Sequence, residues 1–113
     1  MANTERFNTL QKVVIARKAA NELRDVSTLT SDERNLVDTA YAVLIDVEDL
    51  LILEDIKESV KDMELNSKKL GALTQEFEES AARLKKIANI ISDAAKALGV
   101  LADIVSKAAA AGI

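Results

Sequence analysis

The sequence predicts an all-α protein, an elongated antiparallel helical bundle of one shorter and two long helices, and three observations carry that expectation. Hydrophobic residues make up 49% of the 113-residue chain and aromatics only 3%, so the core must be filled by Leu, Ile, Val and Ala. Proline is absent and glycine occurs three times, which removes most helix breakers. Apolar residues recur at spacings of three and four, the period of one helix face. A chain of this length builds one modest core, so residues 1–113 are expected to form a single helical domain.

The first helix is expected over about 5–26. Phe7, Leu10, Val13, Val14, Ala16, Ala20 and Leu23 form one apolar stripe along it. The hydroxyl-rich segment Ser27-Thr28-Leu29-Thr30-Ser31 ends it. Thr30 and Glu33 then have the spacing of a capping box, in which each side chain satisfies a backbone N–H at the start of the next helix.

The second helix is expected from 31 to about 70, because no breaker intervenes before Gly71 and Lys68 and Lys69 suit the negative end of the helix dipole. The third begins near Thr74 and runs to about Ala111. Gly99 lies inside it, costs about 1 kcal/mol relative to alanine, and is the one position where this helix could break.

With turns near residues 28 and 72, Val14 lies opposite Ala42 and Leu51 opposite Asp93. The apolar stretches 13–15, 43–53 and 91–105 then share one level, which predicts a three-helix base. The polar residues Glu54, Asp55, Lys57, Glu58, Lys61, Asp62 and Glu64 fall where the first helix gives out, so 54–90 is expected to project as a two-helix hairpin tip. Charge follows the same plan: residues 1–30 carry +2, 31–66 carry −8 and 67–113 carry +2. An acidic helix between two basic ones favours this packing, although an exposed pair contributes only about 0–1 kcal/mol.

Composition excludes several function classes. Without cysteine there are no disulfides or thiolates, and without histidine the usual general base and the commonest metal ligand are missing. The acids Asp46, Asp49, Glu54, Asp55, Glu58 and Asp62 share helical faces, but a dimetal carboxylate site in a bundle uses Glu-x-x-His pairs. No catalytic, cofactor or metal site is therefore expected, and the chain is read as not an enzyme. A net charge of −4 argues against nucleic acid, whose phosphates call for clustered Lys and Arg. Met1 to Arg6 lacks the pattern of a signal peptide, and no apolar run reaches the roughly 18 residues of a membrane span. A cytoplasmic location is the default expectation, with secretion by a signal-independent route left open.

Three features stand out as candidate contact sites. Asp46, Glu48 and Asp49 interrupt the most apolar part of the second helix; successive side chains turn by about 100°, so Val47, Leu50 and Leu51 can face inward while the acids face out. On the third helix, Ile87, Ile91, Leu98, Leu101, Ile104 and Val105 belong to an apolar surface that covers most of the circumference, leaving one polar stripe of Asn89, Ser92, Asp93, Lys96, Asp103 and Lys107. Such a helix is either the centre of the monomer core or covered by another copy, another protein or a membrane. Phe77, near the expected tip, is a candidate contact aromatic, while Tyr41 is expected at the core with its hydroxyl at the rim.

The long hairpin with an apolar, alanine-rich last helix (Ala81, Ala82, Ala88, Ala94, Ala95, Ala97, Ala102) resembles parts of α-helical pore-forming toxins, and that resemblance implies membrane activity. The size and hairpin are also similar to small secreted helical-hairpin proteins, but their Trp-x-Gly turn is absent because the chain has no Trp. The leading expectation is a non-catalytic protein–protein interaction module: an adaptor, a small inhibitor or immunity-type partner, or an assembly subunit. It would bind another protein or itself through the apolar third helix and the acidic second helix. A membrane-active bundle is the alternative, weakened by the cost of several kcal/mol of placing each of Asp46, Glu48 and Asp49 at bilayer depth.

Overall fold

In the computed structural model, which describes residues 2–53, 55–80 and 82–110, the chain is an all-helical bundle. Its helices are α1 (Ala2–Arg24), α2 (Ser31–Leu53), α3 (Val60–Glu78) and α4 (Ala82–Ala110). Each packs on its neighbour in sequence, and α1 also packs on α4, which closes a ring of four. The described body is elongated, 51 × 23 × 18 Å.

The first turn forms where the sequence places it. Glu33 N–H donates to Thr30 Oγ1 at 3.1 Å while Thr30 N–H donates to Glu33 Oε1 at 2.8 Å, the reciprocal pair of a capping box. Arg34 then reaches back across the turn, its guanidinium donating to the carbonyls of Arg24 at 3.1 Å and Val26 at 3.2 Å. A cation thus satisfies carbonyls that the end of α1 leaves without helical partners. Leu29 is buried with the core residues and pins the turn to them.

The expected 40-residue second helix is instead two helices. It stops at Leu53, and the chain reverses over 55–59 before α3 begins at Val60. Asp55 makes the turn: its Oδ1 accepts the Lys57 N–H at 3.0 Å, and its carbonyl accepts both the Glu58 N–H and the Ser59 Oγ–H at 3.0 Å. A short acidic side chain that bonds its own backbone two residues on offers the chain an alternative to helix. Ser59 is the N-cap of α3, and its carbonyl accepts the Met63 N–H at 2.9 Å. Ile56 is buried and anchors the reversal.

Gly71, expected at a turn, lies inside α3. The actual reversal follows Glu78, where Glu79 and Ser80 N–H groups close on the carbonyls of Gln75 and Phe77. The last helix therefore starts at Ala82 rather than near Thr74, and it passes through Gly99 without a break. Glu54, Ala81 and Ala111 lie outside the described residues.

The three-helix base with a projecting tip is thus replaced by a closed bundle. The physical reason is burial. Met63, Leu70, Leu73 and Phe77 on α3, with Leu84 and Ile87 on α4, would be half exposed on a two-helix tip; folding back at 55–59 places all six in one core with Val13, Ala16 and Ala20 of α1 and Val37, Leu44, Val47 and Leu51 of α2. The antiparallel register of α3 and α4 is fixed by Ser67, whose Oγ–H donates to the Ala95 carbonyl at 2.8 Å.

Candidate interaction surfaces

The apolar circumference of the last helix is spent inside the monomer. Ile87, Ile91, Leu98, Leu101 and Val105 are buried, Ile104 is half buried, and Ala88, Ala94, Ala95 and Ala102 complete a broad inward face. Its polar stripe turns outward, with Asn89, Asp93, Lys96, Asp103 and Lys107 exposed. Phe77, expected on a projecting tip, is fully buried because α3 ends within the closed ring.

The acids of α2 are divided between two sides of that helix. Glu48 points at α1 and pairs with Arg17, Oε1 to Nε at 2.8 Å, with both side chains mostly buried. On the same side Arg24 meets Asp38 at 3.2 Å and stacks over Tyr41, its guanidinium carbon 4.2 Å from the ring centre. Tyr41 is half buried.

Asp46 and Asp49 point the other way, towards α3. With Asp62 and Asn66 of α3 they line an open groove together with the buried Leu50 and the exposed Leu53. The far end of the same α2–α3 seam is lined by Asp32, Glu33, Glu76 and Glu79 with Leu36 and Ser80. Among the described residues no lysine or arginine lines the groove around Asp46, Asp49 and Asp62, so acids face each other there. The packing agrees: of the four helix pairs that close the ring, α3 on α4 is the most extensive and α2 on α3 the least. Leu53, 77% exposed, stands at the rim of the groove.

No protein-family model, curated protein or solved structure matches this chain. Its functional reading therefore rests on what the surface can do. Among the described residues no group of His, Cys, Asp and Glu is placed to hold a metal ion, and no helix is long and apolar enough to cross a membrane. The carboxylates of the α2–α3 groove can accept charge-assisted hydrogen bonds from Lys or Arg, and Leu53 at its rim can meet an apolar side chain.

Charge is segregated around the ring. α1 and α4 each carry five basic and two acidic residues, α2 one and six, and α3 three and four. The adjacent pair α1 and α4 is thus +6 and the adjacent pair α2 and α3 is −6. The sequence showed the acidic middle but not the two-sided division, because that depends on where the long second helix breaks.

Phe7, expected in the core stripe of the first helix, lies outside it, because the structure splits that stripe. Val13, Ala16 and Ala20 are buried, Leu10 and Val14 are half buried, and Phe7 is 58% exposed. Ile15, Ile52, Leu65 and Val100 are exposed as well. A helical-wheel count about Val13, Ala16 and Ala20 places Phe7 about 150° from their centre, which was the available signal.

Proposed function

We propose that the chain is a non-catalytic protein–protein interaction module that takes a basic, partly apolar segment of a partner protein into the α2–α3 groove. The single observation that carries this reading is that Asp46 and Asp49 from one wall and Asp62 from the other line one open groove with the exposed Leu53 at its rim, and no base lines it among the described residues. Like charges facing across a seam weaken the fold there, and a cationic side chain entering between them relieves that repulsion. Leu53 supplies an apolar contact that an electrostatic surface alone would lack.

Membrane insertion is the weaker reading. It would have to unpack ten buried side chains of α4, from Leu84 to Val105, before that helix could meet a bilayer.

The test uses a synthetic amphipathic helix with leucines on one face and lysines flanking them, titrated calorimetrically into the protein. Binding is expected to weaken as salt is raised. Replacing Asp46, Asp49 and Asp62 together by Asn should weaken it about tenfold, since each exposed charge contributes roughly 0.3–1 kcal/mol. Asp103→Asn, on the far side of the bundle, should leave it unchanged. Absence of binding, or equal loss in both variants, would remove the groove as the contact site.

A further inference from the structure

The α2–α3 groove uses one side of α2; the opposite side forms a second surface with α1. Phe7, Leu10 and Val14 lie at helical spacing on α1, and Tyr41, Ile45 and Ile52 lie at helical spacing on α2. Both stripes lie towards the outer side of the α1–α2 pair, on the flank of each helix that turns to the other, a flank marked by the Arg17–Glu48 and Arg24–Asp38 pairs. Arg6 donates to the Leu51 carbonyl, and with those two residues level the antiparallel count puts Phe7 opposite Leu50 and Val14 opposite Val43, so Ile52 and Ile45 lie two residues, about 3 Å, from the levels of Phe7 and Val14. Phe7 is 58% and Ile52 54% exposed, while Leu10, Val14 and Ile45 are half buried. Phe7, Leu10, Ile45 and Ile52 lie in the half of this face nearest the start of α1, the Arg17–Glu48 pair lies alongside, and Arg24, Asp38 and Tyr41 hold the other end.

We propose that two copies of the chain pair through this face about a two-fold axis parallel to the helices. Such an axis keeps every residue at its own level and lays α1 of one copy over α2 of the other. Phe7 then meets the other copy's Ile52, and Val14 the other copy's Ile45, so apolar groups meet twice over. The charges agree: a helix carrying +3 faces one carrying −5 on both sides of the axis. An axis perpendicular to the helices would stack α1 on α1 and α2 on α2, like charge on like. The face is also large enough. Two helices of 23 residues present about 34 Å by 20 Å, or about 700 Å² per copy, near the roughly 800 Å² per partner of a standard interface.

This pairing leaves the α2–α3 groove open, so it stands or falls separately from the reading above. Light scattering over a hundredfold dilution should find twice the 12.2 kDa chain mass at high concentration. Phe7→Lys and Ile52→Glu should each be monomeric, with thermal midpoints at infinite dilution close to the parent's, because both positions are exposed. Mixed in equal amounts, the two variants should pair again, since the introduced lysine then faces the introduced glutamate. The chain has no cysteine, so Phe7→Cys mixed with Ile52→Cys should oxidise to an interchain disulfide, whereas Phe7→Cys alone should not. A mass of 12.2 kDa at every concentration overturns the proposal, as does a dimer that survives both variants or that cross-links Phe7→Cys to itself. If the variant lacking Asp46, Asp49 and Asp62 still pairs while losing the cationic helix, the two surfaces are separate.

Discussion

Replacing Gly71 and Gly99 by alanine, one at a time, distinguishes this bundle from the hairpin that the glycines suggest. A Cβ at Gly71 meets nothing within 4 Å, and the residue lies within α3. Alanine there removes only the entropic cost of glycine in a helix, so stability should rise by about 0.8–1.0 kcal/mol. Unfolding entropy near 2.1 cal/mol/K per residue over 113 residues is about 0.24 kcal/mol/K, which converts 1 kcal/mol to a midpoint increase of about 4 °C. Gly99 differs. A Cβ there would sit 3.0 Å from Ser67 Oγ, the atom that donates to the Ala95 carbonyl at 2.8 Å. Moving that hydroxyl aside forfeits a bond of about 1 kcal/mol and cancels the helix gain, so Gly99→Ala should be near neutral. In a Ser67→Ala background the obstacle is gone and the full gain should return, a coupling of about 1 kcal/mol. Urea and thermal unfolding followed by circular dichroism compare the parent with Gly71→Ala, Gly99→Ala, Ser67→Ala and the Ser67→Ala/Gly99→Ala double variant. If Gly71→Ala lowers stability, Gly71 is a turn residue and the α3 assignment fails; if Gly99→Ala has one effect in both backgrounds, Ser67 does not approach Gly99.

Two further outcomes test the packing and the first turn. Phe77→Ala should cost about 3–5 kcal/mol in urea unfolding, as for a large buried aromatic, while Phe7→Ala should change monomer stability by about 0.5 kcal/mol or less; the reverse order would contradict the way the two aromatics are placed. Thr30→Ala should cost about 1 kcal/mol through loss of the α2 cap, and Glu33→Gln, which keeps an acceptor at the same position, should cost clearly less; equal losses would mean that charge rather than the reciprocal bonds holds the turn.

The helical class, the start of α2 at Ser31 and the inward stripe of α2 are legible in the residues because period and capping are local properties. The reversal at 55–59 is not signalled by glycine or proline. Its cues are Asp55, able to bond its own backbone, and Ser59 three residues before Asp62, a spacing that suits a helix start. Both are hidden in a charged run that also reads as a solvated helix face. Gly71 misled for the opposite reason: glycine marks a turn only where φ is positive or space is tight, and neither holds there. The apolar circumference of α4 was legible, with the monomer core among its possible covers, and two flanking helices, α1 and α3, supply that cover. Asp46, Glu48 and Asp49 read as one outward patch, yet adjacent residues on a helix diverge by about 100°, which sends Glu48 to Arg17 and the two aspartates to α3.

The three reversals of this bundle are short, and each helix rests on the one that precedes it in the chain. Among the described residues, the contact between α1 and α4 is the extensive one that joins remote parts of the sequence. Loop-closure entropy is therefore spent once, late, on an assembly whose hairpins already hold one another, and low contact order of this kind goes with folding in microseconds to milliseconds. The Arg34 clasp closes the first hairpin and the three-residue link before Ala82 closes the last, so the nascent chain can make most of its native contacts in the order in which it is synthesised. Such a chain exposes its apolar stripes only briefly before they are covered.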